Sequence, residues 1–172
     1  MLCKGNIDEP LAAVRHILGR LDLVLNESKT HIVDAWQDSF SFLGFEIRMS
    51  KGLATGKHYP NVCPAPKSIA KIKARMKELT TRNRTPIPLM KIVDDMNASL
   101  RGWVNYFHFR NSSKAMKVVG EYAELRLRLQ LRKRHKIKNW KAGSVRFPRQ
   151  KIYGHYGLYK PPTKAAWKPA HA

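Results

Sequence analysis

Apolar residues recur at helical spacing in four stretches of the chain. The first follows Asp8, Glu9 and Pro10, where Leu11, Val14, Ile17, Leu18 and Leu21 predict a helix to about Leu23. Ahead of it, Leu2 and Cys3 suit the end of a strand, and Lys4-Gly5-Asn6 suits a turn. Val24 to Val33 predicts a strand or strand pair interrupted by polar turn residues, and Phe40 to Ile47 alternates as a half-buried strand does. Gly52, Gly56, Pro60, Pro64 and Pro66 make residues 50–66 a loop or linker with no element of its own. Beyond it, Ile69, Ile72, Met76 and Leu79 form a narrow stripe between Lys67, Lys71, Lys73, Arg75 and Lys77, which predicts a helix with a basic outer face.

Thr80 to Pro88 breaks that helix, and Leu89, Ile92, Val93, Met96, Leu100, Trp103, Val104 and Phe107 predict a second one from about Pro88 to Phe107. A third is expected from Ser113 to about Lys136, through Val118, Val119, Tyr122, Leu125 and Leu129. Leu125 to Leu131 also alternates strictly with Arg126, Arg128 and Gln130, so periodicity alone leaves strand open. As a helix it must be apolar on two faces or partly exposed, because Leu127 and Leu131 fall opposite the main stripe. From Lys138 onward the chain is rich in Gly, Pro, Tyr and Lys without a repeat, and a flexible basic tail is expected.

Charge sharpens this outline. The formal net charge is +21 and the pI about 10.4, an excess that draws a polyanion by field alone. Residues 1–50 carry five Lys or Arg against seven Asp or Glu, whereas residues 51–172 carry 28 against five. Glu124 is the last carboxylate, and the 48 residues after it hold 14 Lys or Arg. Nucleic acid is therefore the leading partner. No apolar run approaches the roughly 18 residues of a spanning helix, and no secretory signal pattern follows Met1, so no membrane partner is expected and a cytoplasmic location is. Cys3 and Cys63 are too few for a disulfide framework and lack metal-ligand spacing.

Four motifs in order carry a resemblance. Leu25-Asn26-Glu27-Ser28-Lys29-Thr30 is similar to the Leu-Asn-x-x-Lys-Thr segment near the end of the reverse transcriptase palm, and Phe42-Leu43-Gly44-Phe45 to the hairpin that grips the primer. A basic helix follows, then Leu100-Arg101-Gly102-Trp103-Val104-Asn105-Tyr106, which resembles the Leu-Arg-Gly-Trp-x-Asn-Tyr segment of the maturase-specific domain, or thumb, of group II intron reverse transcriptases. The likeness runs over residues 1–136, with an echo in Gly157-Leu158-Tyr159. It implies an α+β remnant of a palm at 1–49 with the primer-grip hairpin, a linker at 50–66, a mainly α-helical, three-helix thumb at 67–137, and the basic tail at 138–172.

The same resemblance sets the functional expectations. The palm's Tyr-x-Asp-Asp motif is absent, and two-metal nucleotidyl transfer needs such carboxylates. Asp94 and Asp95 are adjacent mid-helix and read as solvated charge, so no metal site is expected. Mg²⁺ is implied only for the RNA or for a complete polymerase. Lys29 is the candidate proton donor to a pyrophosphate leaving group, provided that a complete palm serves it. Phe42, Leu43 and Gly44 are candidate primer or template contacts, with core packing an equal alternative. Lys71, Arg75, Lys77, Arg82, Arg126, Arg128, Arg132, Arg134 and Lys136 are candidate phosphate donors that position without reading sequence. Arg101 and Tyr106 point away from the apolar face and join that set, although Arg101 could equally pair with Asp94 or Asp95. Gly102 costs about 1 kcal/mol relative to alanine inside a helix, which predicts a close neighbour, either another helix or RNA backbone. Tyr153, Tyr156 and Tyr159 could stack on unpaired bases. The partner implied is structured group II intron RNA, with a primer-template duplex and an N-terminal reverse transcriptase portion as further partners. The alternative function is the thumb and primer-grip portion of a split or truncated RNA-directed DNA polymerase.

Overall fold

The computed structural model describes residues 5–53 and 55–164, so the strand end expected at Leu2 and Cys3 lies outside the described residues. The chain divides into two compact units between Asp34 and Ala35. In the first, α1 (Asp8–Gly19) begins with Asp8 and Glu9 in its first turn, where carboxylates complement the helix dipole. None of the described residues of this unit is buried. The strand expected over Val24–Val33 does not form. Asn26 instead caps a 3-10 turn over Glu27–Lys29: its Oδ1 accepts from the Lys29 N–H at 3.2 Å and from the Ser28 hydroxyl at 2.7 Å. Local side-chain to backbone bonds of this kind outcompete a ladder.

The second unit opens with an antiparallel sheet of order β1-β2-β3: β1 (Phe40–Phe42), β2 (Phe45–Lys51) and β3 (His58–Pro64). Two corrections follow. The single strand expected from alternation over Phe40–Ile47 is two strands joined by a two-residue turn, a hairpin at the place where the resemblance implies one, with Leu43 at φ +48° and Gly44 at φ +82°; positive φ at both central residues is what a type I′ turn demands. The stretch expected to be a linker contains β3, paired residue for residue with β2 from Phe45↔Pro64 to Lys51↔His58. Its prolines fit because β3 is an edge strand, where a missing N–H costs no ladder bond.

Gly44 is fixed by the helices that follow. Its carbonyl accepts from the Ala65 N–H and the Ser68 hydroxyl, each at 2.8 Å, and a Cβ there would lie 3.2 Å from the Phe107 ring. The hairpin thus groups with the helices, and the charge boundary near Lys51 is no structural one.

Helices α2 (Pro66–Leu79), α3 (Leu89–Phe107) and α4 (Ser113–Arg134) form where the periodicity places them. Their core joins Ile72, Met76 and Leu79 to Ile92, Val93, Met96 and Leu100, and to Val119, Ala123, Leu127 and Leu131. Leu127 and Leu131 are fully buried, while Leu125 and Leu129 are half-buried. The deep face of α4 thus runs through Met116, Val119, Ala123, Leu127 and Leu131, and of the stripe expected for this helix only Val119 is buried, the half-buried Val118, Tyr122, Leu125 and Leu129 lying on the other side; part of the cover comes from the tail. Where a flexible segment is expected, α5 (Trp140–Arg146) and α6 (Arg149–Gly154) form instead. Asn139 caps α5 through its Oδ1, 2.7 Å from the Lys141 N–H. Phe147, Ile152 and Leu158 are buried in the common core, and Pro161 packs 3.1 Å from where a Gly120 Cβ would sit. Residues 165–172 of the expected tail lie outside the described residues.

Candidate nucleic-acid interface

The expected phosphate donors fall into two sets. On α2, Lys71 and Lys77 are exposed; Arg75 is exposed too and pairs with Glu78 at 2.7 Å, an i,i+3 pair in solvent. Such a pair is worth under about 1 kcal/mol, so phosphate can displace it. Lys73, which packs over the Tyr122 ring at 5.5 Å, covers apolar surface with its stem.

The arginines of α4 are used inside the protein. Arg126 donates from Nε to the Thr80 hydroxyl at 2.9 Å and from Nη2 to the carbonyls of Thr80 and Lys77, at 3.3 and 3.4 Å. It pairs the Thr80 carbonyl at the end of α2 and adds a further donor to the Lys77 carbonyl, which already accepts from the Thr80 N–H at 3.2 Å. Arg128 donates to the Phe147 carbonyl at 3.0 Å and to Glu124 at 2.6 Å. Arg132 donates to the Lys138 carbonyl and stacks 5.0 Å over Trp140; a Cβ at Gly143 would overlap its side chain. Arg134 donates to the Ile87 carbonyl. All four are half-buried.

Glu124 organises one end of this network. Its carboxylate accepts from Arg128, from Arg149 Nε at 3.1 Å and from the Tyr153 hydroxyl at 3.2 Å, tying α6 to α4. Burial first, then the Glu124 charge, pushes the Tyr153 phenol above its ordinary range. Arg149 and Glu124 were not singled out as a pair by the sequence, and only the place of Glu124 as the last carboxylate before so many cations hinted at one.

The Leu-Arg-Gly-Trp segment lies on α3. Arg101 stacks 4.5 Å over the Tyr159 ring and pairs with neither aspartate; Asp95 instead meets Lys91 at 3.0 Å and Arg84 at 3.8 Å. Asn97 holds the tail in place, donating to the Gly157 carbonyl at 2.8 Å and accepting from the Tyr159 N–H at 2.6 Å. Gly102 is exposed, and no protein atom comes within 4 Å of a Cβ placed there, so the close helix neighbour expected for it is absent. Tyr106 donates its hydroxyl to the Leu43 carbonyl at 3.0 Å and stacks on Phe45. It braces the hairpin tip, where Phe42 and Leu43 are exposed.

In the first unit Lys29 is exposed, and Glu27 pairs with Arg15 at 2.9 Å rather than with Lys29. Among the described residues no cluster of three or more His, Cys, Asp or Glu is placed to hold a metal ion, and no helix is long and apolar enough to cross a membrane. The Cys63 thiol is held above its usual range, by burial first and then by Glu46.

No curated protein matches the chain. Residues 69–147 match the family model of the group II intron, maturase-specific domain. The match begins at Ile69 within α2, takes in α3, α4 and α5, and ends on the buried Phe147. With the Leu-Arg-Gly-Trp helix inside it and the α5 cover at its end, this stretch, which is less than half of the chain, is similar to the group II intron maturase-specific domain.

Proposed function

We propose that the chain is an RNA-binding, maturase-type protein that stabilises folded group II intron RNA for splicing. The match over residues 69–147 carries this reading, and the exposed cations Lys71, Lys77, Arg82 and Lys136 on that stretch support it. Folded RNA forces phosphates together, and cations that approach them release condensed counterions. The side chains position the RNA without reading its bases. Gly102 leaves a bare strip on α3 between Arg101 and Tyr106, where an RNA backbone can approach closely. No chemical step is assigned to this chain in the reading. The ribozyme performs splicing, and Mg²⁺ belongs to the RNA.

Within this reading the helices α2 to α4 are the thumb, and the Phe42-Leu43-Gly44 tip is the grip that meets a primer or template strand. Residues 5–34 are the end of a palm, whose Lys29 would donate a proton only beside a complete active site. The experiment is competition at physiological salt: a group II intron transcript should displace bulk RNA from the protein. Equal affinity for both would reduce it to a general polycation.

One observation favours a second reading, in which the chain is the thumb and primer-grip portion of a split reverse transcriptase. None of the described residues of 5–34 is buried, although Ile17, Leu21 and Leu23 are large and apolar. Burying such side chains is worth about 1.5–3 kcal/mol each, which a palm supplied by another polypeptide would provide. Primer extension on an RNA template should be undetectable with this chain alone and appear on adding a polypeptide that carries Tyr-x-Asp-Asp.

A further inference from the structure

Helix α4 ends in a backbone motif that normally takes glycine, and this chain puts a lysine there. The Ile137 N–H donates to the Arg132 carbonyl at 2.9 Å and the Lys136 N–H to the Lys133 carbonyl at 3.2 Å, with Lys136 at φ +53°. This is the Schellman arrangement, and its left-handed residue is usually glycine because a Cβ crowds the following carbonyl oxygen. A side chain retained at such a position against its backbone cost points to a use for that side chain.

Lys136 borders a cleft of about 610 Å³. Arg82, Lys133 and Lys138 line it with Lys136, all four exposed, and so does the half-buried Arg132, held by the Lys138 carbonyl and Trp140. Leu129 and Ile137 supply the apolar lining, and among the described residues no carboxylate lines the cleft. The cations crowd one another: burial first, then Arg126 and Arg82, hold the Lys133 ammonium below the usual lysine range. A solvated basic face spreads its charges and mixes signs, whereas this one gathers them from a 3-10 turn, a helix end and a loop.

We infer that this cleft is a phosphate clamp for RNA, in which Arg82, Lys133, Lys136 and Lys138 hold neighbouring backbone phosphodiesters and Leu129 and Ile137 pack against the sugar between them. A single phosphodiester carries one charge and leaves most of the cations uncompensated; a bent RNA backbone brings several. The clamp rests on the RNA-binding reading above and adds to it the place where the backbone is held.

The test uses the full chain and a fluorescein-labelled RNA hairpin, with binding followed by anisotropy across a salt series. Lys136→Gly should weaken binding roughly fivefold near physiological salt and lower the magnitude of the log–log salt slope by about 1. The same variant should melt at a higher temperature than the wild type, because glycine relaxes the left-handed residue. Lys136→Ala should weaken binding equally without that gain in melting temperature, which separates charge from backbone. Wild-type affinity and slope in both variants would overturn the clamp while leaving RNA binding intact; failure of the wild type to bind the hairpin would overturn both. Lys136-dependent sedimentation with phosphatidylserine vesicles, alongside unchanged hairpin binding, would also overturn it, in favour of a lipid surface.

Discussion

Helices α2 and α4 look alike in the sequence, each an apolar stripe laced with Lys and Arg, yet they spend their charge differently. On α2 the cations other than Lys73 stand in solvent beside one exposed carboxylate, Glu78. On α4 every arginine from Arg126 to Arg134 reaches a backbone carbonyl of another segment, and Arg128 also reaches Glu124. Residue type explains part of the difference. A guanidinium offers five donors in a planar fork and is weakly hydrated, so it can be half-buried and still satisfied, whereas an ammonium keeps its water. The lesson is that net charge measures what a chain can offer to a polyanion only after the arginines that close its own helix ends have been set aside.

The largest expected effect breaks the α4 network. Glu124→Gln leaves Arg128, whose side chain is 14% exposed, without its counter-charge and loosens α6 from α4. Removing one partner of a buried pair costs about 3–5 kcal/mol, so urea denaturation should lose stability on that scale. A loss under about 1 kcal/mol would show that α6 and the tail are held by packing alone. Next in size, Arg126→Ala removes three donors from the end of α2 and should cost about 2 kcal/mol. Its RNA salt slope should stay within error of the wild type. A slope reduced by about 1 would mean that Arg126 serves phosphate after all.

How far the sequence revealed this division depends on the range of the interactions. Helices α2, α3 and α4 were legible because their periodicity is local, and the first and last residues of α2 and α3 fall within a residue or two of the expected positions. That α4 carries apolar residues on two faces was visible too, but which face is the deep one was not: Leu127 and Leu131 join Val119 and Ala123 in the core while Leu125 and Leu129 are half-buried, and the core residues Phe147, Ile152 and Leu158 lie in a segment whose Gly, Pro and Lys content reads as tail. The strand His58–Pro64 escaped for a related reason: its prolines are tolerated only because it is an edge, and edge position is a property of the sheet. At the interface, residue type marked Arg126, Arg128, Arg132 and Arg134 as donors, and their acceptors in the structure include carbonyls 6 to 49 residues away in sequence. Nothing local in the pattern distinguishes such an acceptor from a phosphate.

A smaller effect tests α3, which stands between the two kinds of helix. Nothing lies within 4 Å of a Cβ at Gly102, so Gly102→Ala should stabilise the protein by about 1 kcal/mol through helix propensity. If RNA backbone approaches the bare strip beside Arg101, the same methyl group should weaken hairpin binding. Unchanged affinity would remove α3 from the interface and leave the glycine without a binding role.

The smallest effect on stability sharpens the comparison most. Lys71→Ala removes an exposed ammonium with no internal partner to lose among the described residues, and such substitutions stay within about 0.5 kcal/mol of the wild type. Its RNA salt slope should nevertheless fall in magnitude by about 1. Arg126→Ala and Lys71→Ala therefore make opposite pairs: one loses stability and keeps its slope, the other keeps stability and loses slope. Should both variants lose slope equally, the phosphates would have to compete for Arg126 against the Thr80 and Lys77 carbonyls, and RNA binding would then loosen the end of α2. Hydrogen exchange on Thr80 and Thr81, whose N–H groups close that helix end, would speed up on adding RNA in that case and slow down or hold steady if the two basic helices divide their work as the geometry divides their partners.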